Sequence, residues 1–182
     1  MNTEHLNLAL TRGDWPLAAA LLAPLTRGQN AHPSLLYNHG KVLVELGHHC
    51  EAMQLFHRCV ARAPGHAAAW FEMGRTALSL EDLETGFDAF SKVVSMDKTD
   101  KDAARNLGRI AIRLGHWQAA ERSWSLLKGD PEAELALYRV AAETRNPKAA
   151  EMRKSLLETH PDRAAVLRTL VRVSKGAMPL NL

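Results

Sequence analysis

The chain has 182 residues, of which 46 % are apolar and 24 % charged, with a formal net charge of +3. The pI near 9.0 raises nucleic acid as a partner, but so small a net charge, with no basic run and no recognised nucleic-acid motif, makes that the weakest of the functional readings. Leucine and alanine dominate and β-branched residues are few, which favours helix over sheet.

From the N-terminus, Met1-Asn2-Thr3-Glu4-His5 lacks the positive region and apolar core of a secretory signal, so a cytoplasmic location is expected. The longest apolar run, Trp15 to Leu25, is interrupted by Pro16 and Pro24 and falls far short of the roughly 20 residues a membrane span requires. Asp14 is placed to cap a helix that has Pro16 in its first turn. Arg27-Gly28-Gln29-Asn30 is a polar turn.

The next stretch organises everything else. Leu36-Tyr37-Asn38-His39-Gly40-Lys41 returns as Trp70-Phe71-Glu72-Met73-Gly74-Arg75 and again as Ala104-Arg105-Asn106-Leu107-Gly108-Arg109, thirty-four residues apart each time. A fixed period in that range marks a stacked helix-turn-helix array. The same register carries Gly47 and Gly115 at the helix end, where a left-handed residue is wanted. It also aligns Ala52, Gly86 and Ala120, then Phe56, Phe90 and Trp124, then Cys59, Val93 and Leu127. Small residues at Gly40, Gly74 and Gly108 let the second helix of each pair come close. Phe56, Trp70, Phe90 and Trp124 are expected to be the buried rings. Glu81 interrupts the Gly47/Gly115 column, so the turn at 80–83 is expected to be less tightly defined.

Gly13, Ala18, Leu22 and Leu25 precede Gly47, Ala52, Phe56 and Cys59 by one period, so residues 1–32 read as a first, slightly shortened repeat. Repeats follow at 33–66, 67–100 and 101–129, with Pro131 one residue ahead of the place held by Pro64. Asp130-Pro131 and Asn146-Pro147 then begin helices at about 131–144 and 147–158, a degenerate pair within 130–161 with Leu137 where glycine is expected. Pro161-Asp162 opens a capping helix over 162–175. Its apolar stripe is read as Val166, Leu167, Leu170 and Val171, with Arg163, Arg168, Arg172 and Lys175 outward. Residues 176–182 form an apolar tail that either ends the chain, folds back, or leads into a further domain.

These columns resemble the tetratricopeptide (TPR) family. The resemblance implies an all-α, right-handed α-solenoid of stacked helix-turn-helix repeats with a C-terminal capping helix. It further implies that places three and two before each glycine, and one after it, line a concave groove. In this chain they are Tyr37, Asn38 and Lys41; Phe71, Glu72 and Arg75; Arg105, Asn106 and Arg109. Arg113 lies a turn further on the same face. Asn38 and Asn106 match the asparagine with which the family holds a bound peptide's backbone. The chaperone-tail clamp of some members needs a lysine and an asparagine where this chain has Tyr37 and Lys41, so that ligand is not implied. Lys41, Arg75 and Arg109 form either a ligand-binding ladder or a solvated face. Rungs about 8–10 Å apart would meet acidic groups about three residues apart in an extended segment.

Catalytic signatures are missing: there is no phosphate-binding loop, HExxH, CxxC or nucleophile elbow. Cys50 and Cys59, about 13 Å apart on one helix, are free thiols, with Cys59 filling core. His48, His49, His57 and the two thiols point different ways, so no metal and no cofactor is expected. Carboxylates read as single charges on outer faces. The leading function is therefore a non-enzymatic scaffold or adaptor binding a peptide or helix, acidic by preference, with no membrane partner and with self-association open. The alternative is a regulatory or assembly module of an enzyme, such as a repeat-linked transferase.

Overall fold

Residues 3–174 are described by the computed structural model, and the chain divides into two compact units, one ending at Asp97 and one starting at Lys98. Among the described residues every regular element is helical. The first unit contains α1 (Thr3–Arg12), α2 (Trp15–Thr26), α3 (Pro33–Glu45), α4 (His49–Arg62), α5 (Ala67–Ser79) and α6 (Leu83–Met96), each packed against the next in chain order. Side chains set the helix starts. Asp14 accepts from the Leu17 amide at 3.2 Å and Asp82 from the Thr85 amide at 3.1 Å, satisfying donors that a helix leaves unpaired at its N-terminus.

Pairing within this unit depends on the glycine column. A Cβ built on Gly40 would lie 2.6 Å from the Phe56 ring, and one on Gly74 2.7 Å from the Phe90 ring, closer than carbon atoms approach. Both rings are fully buried. Trp70 departs from the expectation: it is only half-buried, because its indole N–H reaches out to the Pro64 carbonyl at 2.9 Å. His39 replaces an apolar residue in the core, where its Nδ1 meets Thr26 Oγ1 at 2.7 Å, and burial pushes its pKa down.

The turn at 80–83 is as well defined as its counterparts. Glu81 takes the left-handed conformation, φ 58°, where Gly13 and Gly47 have φ 70° and 77°. The amide of the following residue closes the same hydrogen bond in all three turns: Asp14 to Ala9 at 2.9 Å, His48 to Leu43 at 2.8 Å, Asp82 to Ala77 at 2.9 Å. The backbone pattern overrides the side chain's preference and leaves Glu81 strained.

The second unit contains α7 (Lys101–Leu114), α8 (Trp117–Ser125), α9 (Pro131–Glu143), α10 (Ala149–Thr159) and α11 (Arg163–Ser174). Gly108 faces Trp124 as Gly74 faces Phe90, with a built Cβ 2.5 Å from the indole nitrogen. The fourth repeat is then cut short: α8 has 9 residues where α4 and α6 have 14. Pro131, the first residue of α9, is thus the counterpart of Pro33 at the start of α3, not of Pro64. The glycine column consequently falls on Tyr138, one residue beyond the expected Leu137. Here the ring comes from the first helix of the pair, and Tyr138 packs with Leu156, Val166 and Leu170. Helix α10 starts later than Asn146-Pro147 suggested; Asn146 instead accepts from the Lys148 amide at 3.0 Å.

On α11 the apolar stripe is rotated from the expected one. Val166 and Leu170 are buried and Val173 packs beside them, whereas Leu167 and Val171 are exposed. Spacing of four and three residues keeps the first set on the face against α9 and α10. The expected place of Lys175 and the tail at 176–182 lie outside the described residues. No helix among the described residues is long and apolar enough to cross a membrane.

Candidate ligand-binding face

The residues singled out by the glycine register sit on the first helices of the pairs, on α3 and α5 in the first unit and on α7 in the second. In the first unit a carboxylate organises them. Glu72, whose side chain is 9 % exposed, accepts from Lys41 Nζ at 2.8 Å and lies 3.3 Å from Arg75 Nη1. Lys41 reaches it from α3, so this ion pair ties neighbouring first helices together. A nearly buried carboxylate needs such partners, since desolvation without them is costly. Asn38 is exposed beside this cluster. Tyr37 and Phe71 are half-buried, leaning on Phe56 at a centroid distance of 6.3 Å and on Phe90 at 5.4 Å. The Tyr37 ring also meets His66 at 4.9 Å. Each ring therefore belongs partly to the core.

In the second unit the arginines are answered more fully. Arg109 grips Glu132 with both prongs, Nε to Oε1 and Nη2 to Oε2, each at 2.7 Å. This geometry is the forked pairing that makes arginine–carboxylate contacts strong, and it raises the Arg109 pKa further above its ordinary value. Arg105 bonds Asp130 at 2.6 Å and Asp102 at 3.0 Å. The Asp130 carboxyl is held below the usual range by the Arg105 guanidinium and by the Ala133 amide that it caps. Asn106 is half-buried and Arg113 exposed on the same helix.

The expectation that carboxylates stand singly on outer faces is thus overturned. Glu72, Asp130 and Glu132 are partners of the groove cations. Glu72 was legible as a departure from the Asn38/Asn106 column, but its bond to Lys41, thirty-one residues away, needed the fold. The basic column also extends one place further than expected, to Arg139, once Tyr138 is recognised as the glycine position. Among the described residues no three histidine, cysteine or acidic side chains gather as a metal site. Cys50 is exposed; Cys59 is buried, its thiol against the Pro33 carbonyl at 3.3 Å and its pKa raised by burial.

Comparison with known proteins agrees with this architecture. The tetratricopeptide repeat family matches residues 37–103. The mouse (Mus musculus) FK506-binding protein-like is 35 % identical over 68 residues, 37 % of this chain and 20 % of that protein. This chain therefore spans about a fifth of that relative. Among solved structures, YrrB, described as a TPR protein with an unusual peptide-binding site, superposes with a TM-score of 0.74 at 17 % identity, covering 91 % of this chain and 88 % of YrrB. A MamA structure gives 0.73 at 17 % identity, over 91 % and 93 %. A tetratricopeptide repeat protein from Parabacteroides merdae gives 0.71 at 15 % identity, over 96 % and 71 %. At these identities the likeness is one of fold: all-α, of the solenoid class.

Proposed function

We propose that this chain, whose residues 37–103 match the tetratricopeptide repeat family, is a non-catalytic scaffold that holds a peptide or helix of a partner protein on the face formed by its first helices α3 and α5. The observation that carries the reading is the Lys41–Glu72–Arg75 cluster: two cations and a carboxylate fixed on adjacent first helices, flanked by Asn38 and by one open side each of Tyr37 and Phe71. Such a face is rigid and polar at its centre, with aromatic surface beside it, which suits the backbone and side chains of an extended segment. The peptide-binding site described for YrrB supports the same class of ligand.

The preferred segment is acidic. In the first unit two cations share one carboxylate, and Arg75 remains 55 % exposed, so donors are left for an incoming carboxylate. Glu72 competes with the ligand for them. A fluorescein-labelled peptide with glutamate at every third position tests this by anisotropy. Replacing Lys41 and Arg75 together by alanine should weaken binding about tenfold and flatten its salt dependence. Glu72→Gln should tighten it. Weaker binding to Glu72→Gln with helicity intact would refute an acidic ligand at this cluster.

A further inference from the structure

Within each unit one cation of a first helix is answered by a carboxylate on the next first helix. In the first unit Lys41 of α3 is answered by Glu72 on the next first helix, α5. In the second, Arg109 of α7 is answered by Glu132 on the next first helix, α9. The same place on α9 is Arg139, and the helix that packs against α9 beyond it is α11. Over Arg163–Ser174 that helix carries Arg163, Arg168 and Arg172 and no carboxylate at all. Arg139 is half-buried, and its Nε is shut off from solvent without a hydrogen-bond acceptor. A guanidinium N–H in that state has lost water and gained nothing, an arrangement that folded proteins rarely leave standing. Three effects act on Arg139. Burial is the largest, followed by the like charge of Arg172, and both disfavour its charged form; Glu143, one turn along α9, opposes them. Arg139 thus feels the like charge of Arg172 at a place where Lys41 and Arg109 each have a carboxylate from the next first helix.

We propose that Arg139 and Arg172 form an anion-binding site between α9 and α11 that takes a carboxylate of the bound peptide, supplying from the ligand the acid that α11 lacks. The inference rests on the scaffold reading above and assigns an acidic contact within the second unit. Lys41 and Arg109 already hold internal carboxylates that a ligand would have to displace; Arg139 holds none. Arginine suits the role, because its planar fork pairs with both oxygens of a carboxylate, and two arginines side by side repel until an anion lies between them. The carboxylate has two sources in a peptide, an acidic side chain or the chain's own C-terminus.

The experiment uses the full chain and three labelled peptides of equal length. One is amidated with glutamate at every third position, one lacks acidic residues but ends in a free carboxylate, and one is amidated and neutral. Arg139→Met/Arg172→Met should lower affinity for one of the two carboxylate-bearing peptides by about tenfold to a hundredfold, the scale of a lost charge-assisted pair. Whichever peptide loses affinity identifies the source. Arg139→Lys, which keeps the charge without the fork, should recover little of it. The double variant should retain the parent's helical circular dichroism. If it binds both peptides as the parent does while Lys41→Ala/Arg75→Ala loses them, the site proposed here is wrong and the scaffold reading stands. If neither variant changes binding, or the neutral peptide binds equally well, both fall.

Discussion

Gly74→Ala is the sharpest test of how the pairs are held together. Alanine is the better helix former by about 0.8–1.0 kcal/mol, so in an exposed helix the change would stabilise. Here the new methyl would lie 2.7 Å from Phe90 Cε2 and 2.9 Å from two further ring carbons. Relief to ordinary contact near 3.5 Å requires the ring or the helix to retreat by about 0.8 Å. Phe90 has no room to turn: it is fully buried, with Phe71 set edge-on at 5.4 Å. Overpacking of this kind costs about 1–3 kcal/mol, so the net effect should be a loss of up to about 2 kcal/mol. In a Phe90→Leu background the ring is gone, and the same Gly74→Ala change should become neutral or stabilising by up to about 1 kcal/mol. Urea unfolding followed at 222 nm on the four proteins of this cycle measures the coupling, expected at about 2 kcal/mol. If Gly74→Ala stabilises the parent, or the two changes add to within about 0.5 kcal/mol, the close approach is not what positions α6 on α5.

Two further outcomes are expected. Glu81→Gly should raise stability by about 0.5–1 kcal/mol, the cost of left-handed backbone at a residue with a side chain less the extra freedom glycine has when unfolded; thermal melting checks it, and a lower melting temperature would show that Glu81 is held by something other than the turn. Since His39 has a depressed pKa when folded, the unfolded chain takes up the proton first as pH falls below about 6.5, and stability is lost from there down through the folded value. His39→Met, matching Met73 one repeat on, should remove that part of the pH dependence; an unchanged slope between pH 7 and 5 would mean that the ring titrates freely.

What could be read beforehand was whatever short-range sterics dictates. Gly40, Gly74 and Gly108 are informative because an absent Cβ permits one thing, close approach, and the rings sixteen residues later supply what approaches. Asp14 and Asp130 declare helix starts because their oxygens need only the next three residues. Glu72 and Arg139 were opaque for the opposite reason, as their meaning lies in partners on other helices. Tyr138 was missed through a misplaced proline. Pro131 begins a helix, but at sixty-seven residues beyond Pro64 it was read as the repeat's closing residue arriving early. The shortening of α8, which moved every later column, leaves no mark on composition. Similarly Glu81 shows that a turn held by its neighbours' hydrogen bonds can tolerate an unsuitable residue, which a rule about glycine alone does not anticipate.

The shortened α8 has a consequence for how this chain can be lengthened. Helices α3 to α6 are spaced by a common period, so a copy of residues 33–66 could be spliced in after its original with one new boundary, α4 against the copied α3, that the repeat makes equivalent to α2 against α3 and α4 against α5. The boundary after α8 is different in kind. Removing four or five residues from a helix takes out about 6–8 Å of length and leaves the following segment about 40–140° out of phase with a full repeat. Helix α9 has a ring, Tyr138, where α3, α5 and α7 have glycine, and packs it against residues of α10 and α11. A unit of residues 33–66 inserted there would fill Gly40's notch with its own Phe56, but its α3 would meet the short α8 at a boundary that is now matched to α9. Growth by duplication is thus open on one side of α8 and closed on the other, and the short helix acts as a stop codon written in geometry.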